Sequence, residues 1–149
     1  MVFFKENIRR GIKEMNLTLH HINLCTDNVE EMDAFYQDVL GLNRETNDLP
    51  VLEKKKGYSG DVAFVSDGNI QMHLAQRDNQ AGFKTGQIVN PVARGHIAYR
   101  TDDLEAFKKH LEAKGISYSD WGERAVAGWH QIFFYDPDGT VIEVHQRTS

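Results

Sequence analysis

His21, His73, His96 and Glu143 are residue types that bind a divalent transition metal, and their spacing can gather them at one point. Three imidazoles and a carboxylate suit Zn, Ni, Mn, Fe or Co, and suit Ca or Mg poorly, because those ions prefer all-oxygen shells. The spacing comes from a repeat. His-Ile-Asn-Leu-Cys-Thr-Asp-Asn-Val-Glu from His21 returns as His-Ile-Ala-Tyr-Arg-Thr-Asp-Asp-Leu-Glu from His96, with His, Ile, Thr, Asp and Glu in the same places. A duplicated unit of this kind tends to pack about a pseudo-two-fold axis, which brings His21 and His96 together. His73 lies near the place in the first copy that Glu143 holds in the second.

Strand alternation tests whether all four can face one way, since side chains of a strand covered by helices on one side alternate between that side and the open one. Ile22 and Leu24 take the helix side of the first strand, which leaves His21, Asn23 and Cys25 open and puts His20 on the packed side. Ile70, Met72 and Leu74 place His73 in the open set with Gln71 and Ala75. Ile97 and Tyr99 do the same for His96, Ala98 and Arg100, and Ile142 and Val144 for Glu143 and His145. Four strands each offer one metal-competent side chain to one concave surface. Asn23, Arg100 and Gln131 are expected to line it as substrate contacts, Arg100 toward a carboxylate or other anion. Trp129 and Tyr58 are candidate walls, although core packing is the commoner role for such aromatics. Cys25 is expected to be inert, and His20, His110, His130 and His145 to be structural or solvated.

The elements that must position these residues follow from periodicity. Phe4, Ile8, Ile12 and Met15 predict an amphipathic helix over 1–16, weakened by Gly11. The first module, 17–77, opens with a strand over 17–25. Thr26, Asp27 and Asn28 offer N-caps to a helix with Val29, Met32, Phe35, Tyr36, Val39 and Leu40 on one face, and Gly41 stands at its C-terminal cap. A long polar loop precedes paired strands over 61–66 and 70–76, joined at Asp67-Gly68-Asn69. Turn formers and Pro91 mark 78–94 as a linker. The second module, 95–149, repeats the order: a strand over 96–100, a helix on Leu104, Phe107 and Leu111, a short strand over 116–121, then strands over 129–135 and 140–146. The fold class is α+β, with βαβββ present twice.

Composition limits what such a protein does. A chain of 149 residues with 40% hydrophobic and 10% aromatic content fills a core. No apolar run approaches the roughly 20 residues that cross a bilayer, and the first ten residues turn charged too early for a secretory signal. Cys25 is the single cysteine, which fits a reducing compartment. A cytoplasmic location is expected. The formal charge of −5 gives no footprint for nucleic acid, and Lys54-Lys55-Lys56 reads as a solvated loop. The expected partner is a small-molecule substrate, with no nucleic acid and no membrane, and the expected assembly a homodimer.

With these motifs in place the chain resembles the vicinal oxygen chelate superfamily, the glyoxalase/bleomycin-resistance/dioxygenase fold. The resemblance rests on His-His-Ile-Asn-Leu at 20–24, Phe35-Tyr36 with Val39-Leu40-Gly41-Leu42, Ile70-Gln71-Met72-His73-Leu74, Gly95-His96-Ile97-Ala98, and Asp136-Pro137-Asp138-Gly139 leading to Ile142-Glu143, and it spans residues 17–147. It implies paired βαβββ modules curled into a concave mixed-sheet cleft, with one ligand from each of four strands holding a single divalent metal. By motif the ligands are His21, His73, His96 and Glu143. Glu143 is the implied catalytic group.

The resemblance further implies a glyoxalase-like lyase or isomerase, in which a metal polarises vicinal substrate oxygens and Glu143 moves a proton. Bacterial-type glyoxalase I is similar to a His, Glu, His, Glu pattern at these positions, and His73 stands at the first Glu place. Methylmalonyl-CoA epimerase resembles a pattern with a Gln ligand and a further Glu before the second strand, where this chain has Lys56-Gly57-Tyr58-Ser59-Gly60. Extradiol dioxygenases use two His and one Glu around ferrous iron, which His21, His96 and Glu143 supply as the runner-up. A metal-free sequestering protein of the bleomycin-resistance type is the non-enzymatic alternative.

Overall fold

The structure, a computed structural model, describes residues 16–46, 48–54 and 58–148. The amphipathic helix expected over 1–16 falls almost wholly outside them. Seven strands form one mixed sheet: β1 (Thr18–Thr26), β2 (Val62–Ser66), β3 (Gln71–Gln76), β4 (Gly95–Arg100), β5 (Ser119–Gly122), β6 (Trp129–Tyr135) and β7 (Val141–Arg147). Three helices accompany them: α1 (Val29–Asp38), α2 (Ala81–Thr85) and α3 (Leu104–Ala113). None of the described helices is long and apolar enough to cross a membrane.

The strand order β2-β3-β1-β4-β7-β6-β5 displays the duplication. β1 and β4 run antiparallel at the centre, with Ile22 paired to Ile97, His21 to Ala98 and Asn23 to His96. Ile22 therefore sits across from its own repeat equivalent, His21 and Asn23 each across from the equivalent of the other, and the pseudo-two-fold passes at Ile22 and Ile97. On either side the next strand is parallel: Asn23 pairs with His73, and Ala98 with Glu143. His73 and Glu143 thus occupy equivalent register positions. The outer strands match as well, β2 to β6, but the counterpart of β5 in the first module shrinks to a single bridge between Asn43 and Ser66.

Local chemistry starts the two long helices alike. The Asn28 side chain accepts from Glu31 N at 3.1 Å, and its repeat equivalent Asp103 accepts from Ala106 N at 3.0 Å, each satisfying a free N–H of the first turn. Their packing differs. α3 buries Leu104, Phe107 and Leu111 against Ile132 and Val144. α1 lies against β2 and β3 with no fully buried residue: Val29, Met32 and Tyr36 are half-buried, while Phe35, Val39 and Leu40 stay exposed, so the apolar face expected to pack is covered only in part among the described residues.

The concave side carries its own core of Tyr58, Ala75, Trp121, Phe133 and Val141, joined by Ala81, Val89 and Val92. The last three belong to the connection over 78–94. Expected as a linker, it holds the short helix α2, and both main chain and side chains tie it down: Asp78 N donates to the Val92 carbonyl at 3.0 Å, Asn90 donates to the Asp78 carbonyl at 2.8 Å, and Ser119 accepts from Val89 N at 3.0 Å. Gly95 opens β4 with φ +131°, and a Cβ there would stand 2.1 Å from the Asn23 carbonyl oxygen, so β1 and β4 approach this closely only around glycine.

Candidate metal centre

The alternation of β1, β3, β4 and β7 brings His21, His73, His96 and Glu143 to the concave side, where all four are buried. Glu143, fully enclosed, is the hub. Its Oε2 lies 3.3 Å from His21 Nε2 and 2.8 Å from His96 Nε2, and its Oε1 accepts from Gln131 Nε2 at 3.0 Å. His73 stacks on His21 with ring centres 3.7 Å apart, and its Nε2 meets Gln71 Oε1 at 2.8 Å. It shares the cluster without touching Glu143 directly.

Two further histidines enter the site, contrary to expectation. β1 shifts register against β4 between Leu19 and His21, and this bulge turns His20 from the packed side into the concave one. Its ring stands 5.1 Å from that of His21 and 5.0 Å from that of His145. His145 is neither solvated nor remote: it is fully buried, its Nδ1 lies 2.9 Å from Glu143 Oε1, and its ring stacks on Trp129 at 4.2 Å. His21, Glu143 and His145 offer ligand atoms within 4.8 Å of one another. Arg100 Nε donates to His145 Nε2 at 3.0 Å, however, so the His145 proton resides on Nδ1 and neither ring nitrogen has a lone pair to give. His130 stays outside, paired with Asp120 at 2.7 Å, and His110 ends α3 beside Phe107.

The expected substrate contacts are engaged within the protein. Asn23 is buried and its Oδ1 faces Cys25 Sγ at 3.4 Å; Gln131 holds Glu143; Arg100 holds His145 and donates to Asp48 Oδ2 at 2.7 Å. Trp129 walls the site beneath the Arg100 guanidinium at 5.0 Å. Tyr58 also lines the space beside the four residues while packing in the core, its hydroxyl donating to the Gln76 carbonyl at 2.5 Å. Burial pushes the Cys25 thiol up to about 11, which leaves it inert at neutral pH. Asp48 and Gln71 are contributors that motif and repeat do not signal, one from the polar loop and one from the open face of β3.

The electrostatics fit a cation. Burial would raise the Glu143 carboxyl, but the surrounding imidazoles, His21 foremost, hold it well below the usual carboxylate range. Burial lowers His21 to about 4 against the pull of Glu143, lowers His20 to about 4 with help from Arg100, and sends His73 well below its ordinary value. His96 Nδ1 lies 2.8 Å from the Pro91 carbonyl, which only accepts, so the proton is on Nδ1 and Nε2 turns a lone pair toward Glu143. Glu143 Oε2 has no hydrogen-bond partner although it is wholly buried. Lone pairs facing a buried carboxylate oxygen repel, and an unpaired buried charge is costly. A divalent ion among these atoms converts both conflicts into bonds, and the nitrogen-rich donor set fits Zn, Ni, Mn, Fe or Co.

About 50 Å³ of free space lies beside the four residues, walled by Trp121, Phe133 and Trp129. Leu52 and Val126 form its roof, bridged through Glu53 N to the Ala125 carbonyl at 3.0 Å and Ala127 N to the Val51 carbonyl at 2.9 Å. A larger polar cleft of about 750 Å³ shares His20, Asp48, Gln71 and Arg100 as its wall.

Comparison with known proteins agrees with this architecture. The profile of the Glyoxalase/Bleomycin resistance protein/Dioxygenase superfamily matches residues 18–144. The chain is 27% identical to glyoxylase I 4 of Arabidopsis thaliana over 128 residues, 85% of this chain and 69% of that protein. It is 31% identical to mitochondrial methylmalonyl-CoA epimerase of Mus musculus over 134 residues, 86% of this chain and 72% of the relative. In fold it is similar to methylmalonyl-CoA epimerase from Mycobacterium tuberculosis, with a TM-score of 0.66 at 17% identity over 95% of each chain.

Proposed function

The chain belongs to the Glyoxalase/Bleomycin resistance protein/Dioxygenase superfamily, and on that footing we propose that it is a metal-dependent enzyme of the glyoxalase-like isomerase or lyase type. The observation that carries the proposal is the convergence of His21 Nε2 and His96 Nε2 on the partnerless Oε2 of Glu143. His21, His96 and Glu143 would hold the ion, with His73 as fourth ligand. A divalent metal there supplies Lewis acidity to two adjacent oxygens of a substrate, making a neighbouring C–H more acidic.

The protein's own role is to place the base. Gln131 fixes Oε1 of Glu143, which leaves Oε2 to hold the ion and, when it swings off the ion, to accept and return a proton. At the register position equivalent to Glu143 stands His73, not a second carboxylate, and its Nε2 is committed to Gln71. Epimerisation, the reaction in the names of several relatives, moves a proton between opposite faces of a carbon and is served by two bases. One interior carboxylate favours removal and return on a single face. The space beside the ligands favours a small substrate, a 2-hydroxy or 2-keto acid derivative or a diol, over the methylglyoxal–glutathione hemithioacetal. Two histidines and a carboxylate on one point are also a ferrous-iron dioxygenase set, which makes that chemistry the second reading.

Reconstitution with Ni, Zn, Mn and ferrous iron tests these readings. The expected result is metal-dependent deuterium exchange from solvent at the carbon beside the chelating oxygens of a small 2-hydroxy or 2-keto acid, with slow hemithioacetal turnover. Fast hemithioacetal isomerisation would make it a glyoxalase I. Oxygen uptake on catechols with ferrous iron alone would move it to the dioxygenases, and silence with every metal would leave a sequestering protein.

A further inference from the structure

Three paths of polar contacts leave the metal centre and end on one loop residue. The first runs outward from His21: its Nδ1 meets His20 Nδ1 at 2.8 Å, and His20 Nε2 meets Asp48 Oδ2 at 3.1 Å. The second begins at Glu143 Oε1, which lies 2.9 Å from His145 Nδ1 as an ion-pair contact without a hydrogen bond, and continues from His145 through Arg100, whose Nη1 donates to the same Oδ2 at 2.7 Å. The third runs from His73 through Gln71, whose Nε2 donates to the Asp48 main-chain carbonyl at 2.7 Å. Two of the four metal-competent residues have other holds as well, His96 on the Pro91 carbonyl and Glu143 on Gln131 Nε2.

Each path has one consistent direction. A carboxylate only accepts, so the single proton of neutral His20 sits on Nε2 and its Nδ1 accepts from His21. The proton of His21 is then on Nδ1, and Nε2, the nitrogen facing Glu143, is bare. An Arg guanidinium only donates, so His145 carries its proton on Nδ1, toward Glu143 Oε1. The Gln71 amide, turned by the Asp48 carbonyl, aims Oε1 at His73, which places the His73 proton on Nε2 and frees Nδ1. Amide and ring orientations with no outside anchor would be interchangeable; here all three trace back to Asp48.

We infer that Asp48 is the positioning residue of the metal centre, fixing through His20 and Gln71 the tautomers of His21 and His73, and through Arg100 that of His145 beside Glu143. The inference rests on the proposed metal site. Outer partners of this kind typically change metal affinity about 10–100-fold when removed. Through them the loop around Asp48, which also walls the 750 Å³ cleft, is coupled to the strength of the site.

The test measures two quantities on wild type, Asp48→Ala, Asp48→Asn, His20→Ala and the Asp48→Ala/His20→Ala double variant: affinity for Zn by chelator competition, and imidazole 15N shifts in metal-free protein. Asp48→Ala and the nearly isosteric Asp48→Asn are expected to weaken Zn binding about 10–100-fold. His21 in both should pass from a pure Nδ1–H form to a mixture. At His21 the double variant should look no different from His20→Ala alone, because Asp48 reaches His21 through His20. Wild-type affinity together with an unchanged His21 signature in both Asp48 variants would overturn the inference. Should wild-type protein bind no metal, the proposed function falls, while the 15N signature still decides the role of Asp48.

Discussion

His21 and His96 place their Nε2 atoms 3.3 and 2.8 Å from the same oxygen of Glu143, although one belongs to each half of the duplicated chain. The antiparallel pairing of β1 with β4 makes this possible. It sets the two histidines on either side of the Ile22–Ile97 pair, on one face, with Glu143 arriving from β7 at the level of Ala98. A symmetric framework thus delivers an asymmetric centre: two equivalent imidazoles and one carboxylate whose counterpart is an imidazole.

Glu143→Gln keeps the shape of the side chain and removes its charge. Metal affinity should fall by about 100-fold or more, at or beyond the upper end of what loss of an outer partner costs, and proton exchange should vanish while far-ultraviolet dichroism stays unchanged. Chelator competition checks the first and deuterium incorporation the second. Near-wild-type metal content in Glu143→Gln combined with His21→Ala would exclude these residues as ligands.

Metal-free protein should remain folded. Neither hydrophobic cluster, that of Trp121 and Phe133 nor that of Leu104, Phe107 and Leu111, includes a proposed ligand. Metal at about 1,000 times its Kd should add about 4 kcal/mol by mass action, or roughly 10 °C in Tm for a chain of this size. Calorimetry with and without chelator measures it. Loss of near-ultraviolet dichroism on chelation would instead make the ion a folding element.

Stability of the metal-free protein should fall with acid in a defined window. His20 and His21 sit near 4 in the fold against 6.5 when unperturbed, and burial holds His73 well below its ordinary value. Above pH 6.5 neither folded nor unfolded chain holds these protons, so the groups contribute no pH dependence. Between 6.5 and 4 the unfolded chain binds protons that the native state refuses, and unfolding becomes progressively easier. Depression of the Glu143 carboxyl acts in the same direction at lower pH. The urea midpoint followed from pH 7 to 4 should decline; a flat profile would mean that the buried histidines are not neutral.

Gly95→Ala should be among the most damaging single-methyl changes. The new Cβ meets the Asn23 carbonyl oxygen at 2.1 Å in a backbone conformation with φ +131°. Strain of this type costs about 1–3 kcal/mol before any clash is counted. His96 follows directly, so metal affinity should fall with stability. A denaturation midpoint equal to wild type would show that β1 and β4 can separate without loss.

The repeat and the strand alternation made the central pairing and the burial of His21, His73, His96 and Glu143 legible, because period-two patterns report faces directly. They could not report His20, since the bulge after Leu19 breaks the period at the residue where it matters. His145 was visible on the right face, but its role depends on Arg100, and the direction of a hydrogen bond has no signature in residue order. Asp48 lies in a loop without periodicity. The uncovered Phe35, Val39 and Leu40 show another limit: a helical stripe tells which residues would pack, not whether anything described lies above them.

The Leu52–Val126 bridge has a kinetic meaning. With only about 50 Å³ beneath it, a substrate reaching the centre from that side must first break a pair of main-chain hydrogen bonds. At about 1 kcal/mol each, breaking them leaves about one molecule in thirty open at any instant. Apparent affinity is then some thirty-fold weaker than that of the open form. For entry from that side the bridge would act as a latch, so a change that loosens it should tighten apparent substrate binding without adding a single contact to the substrate.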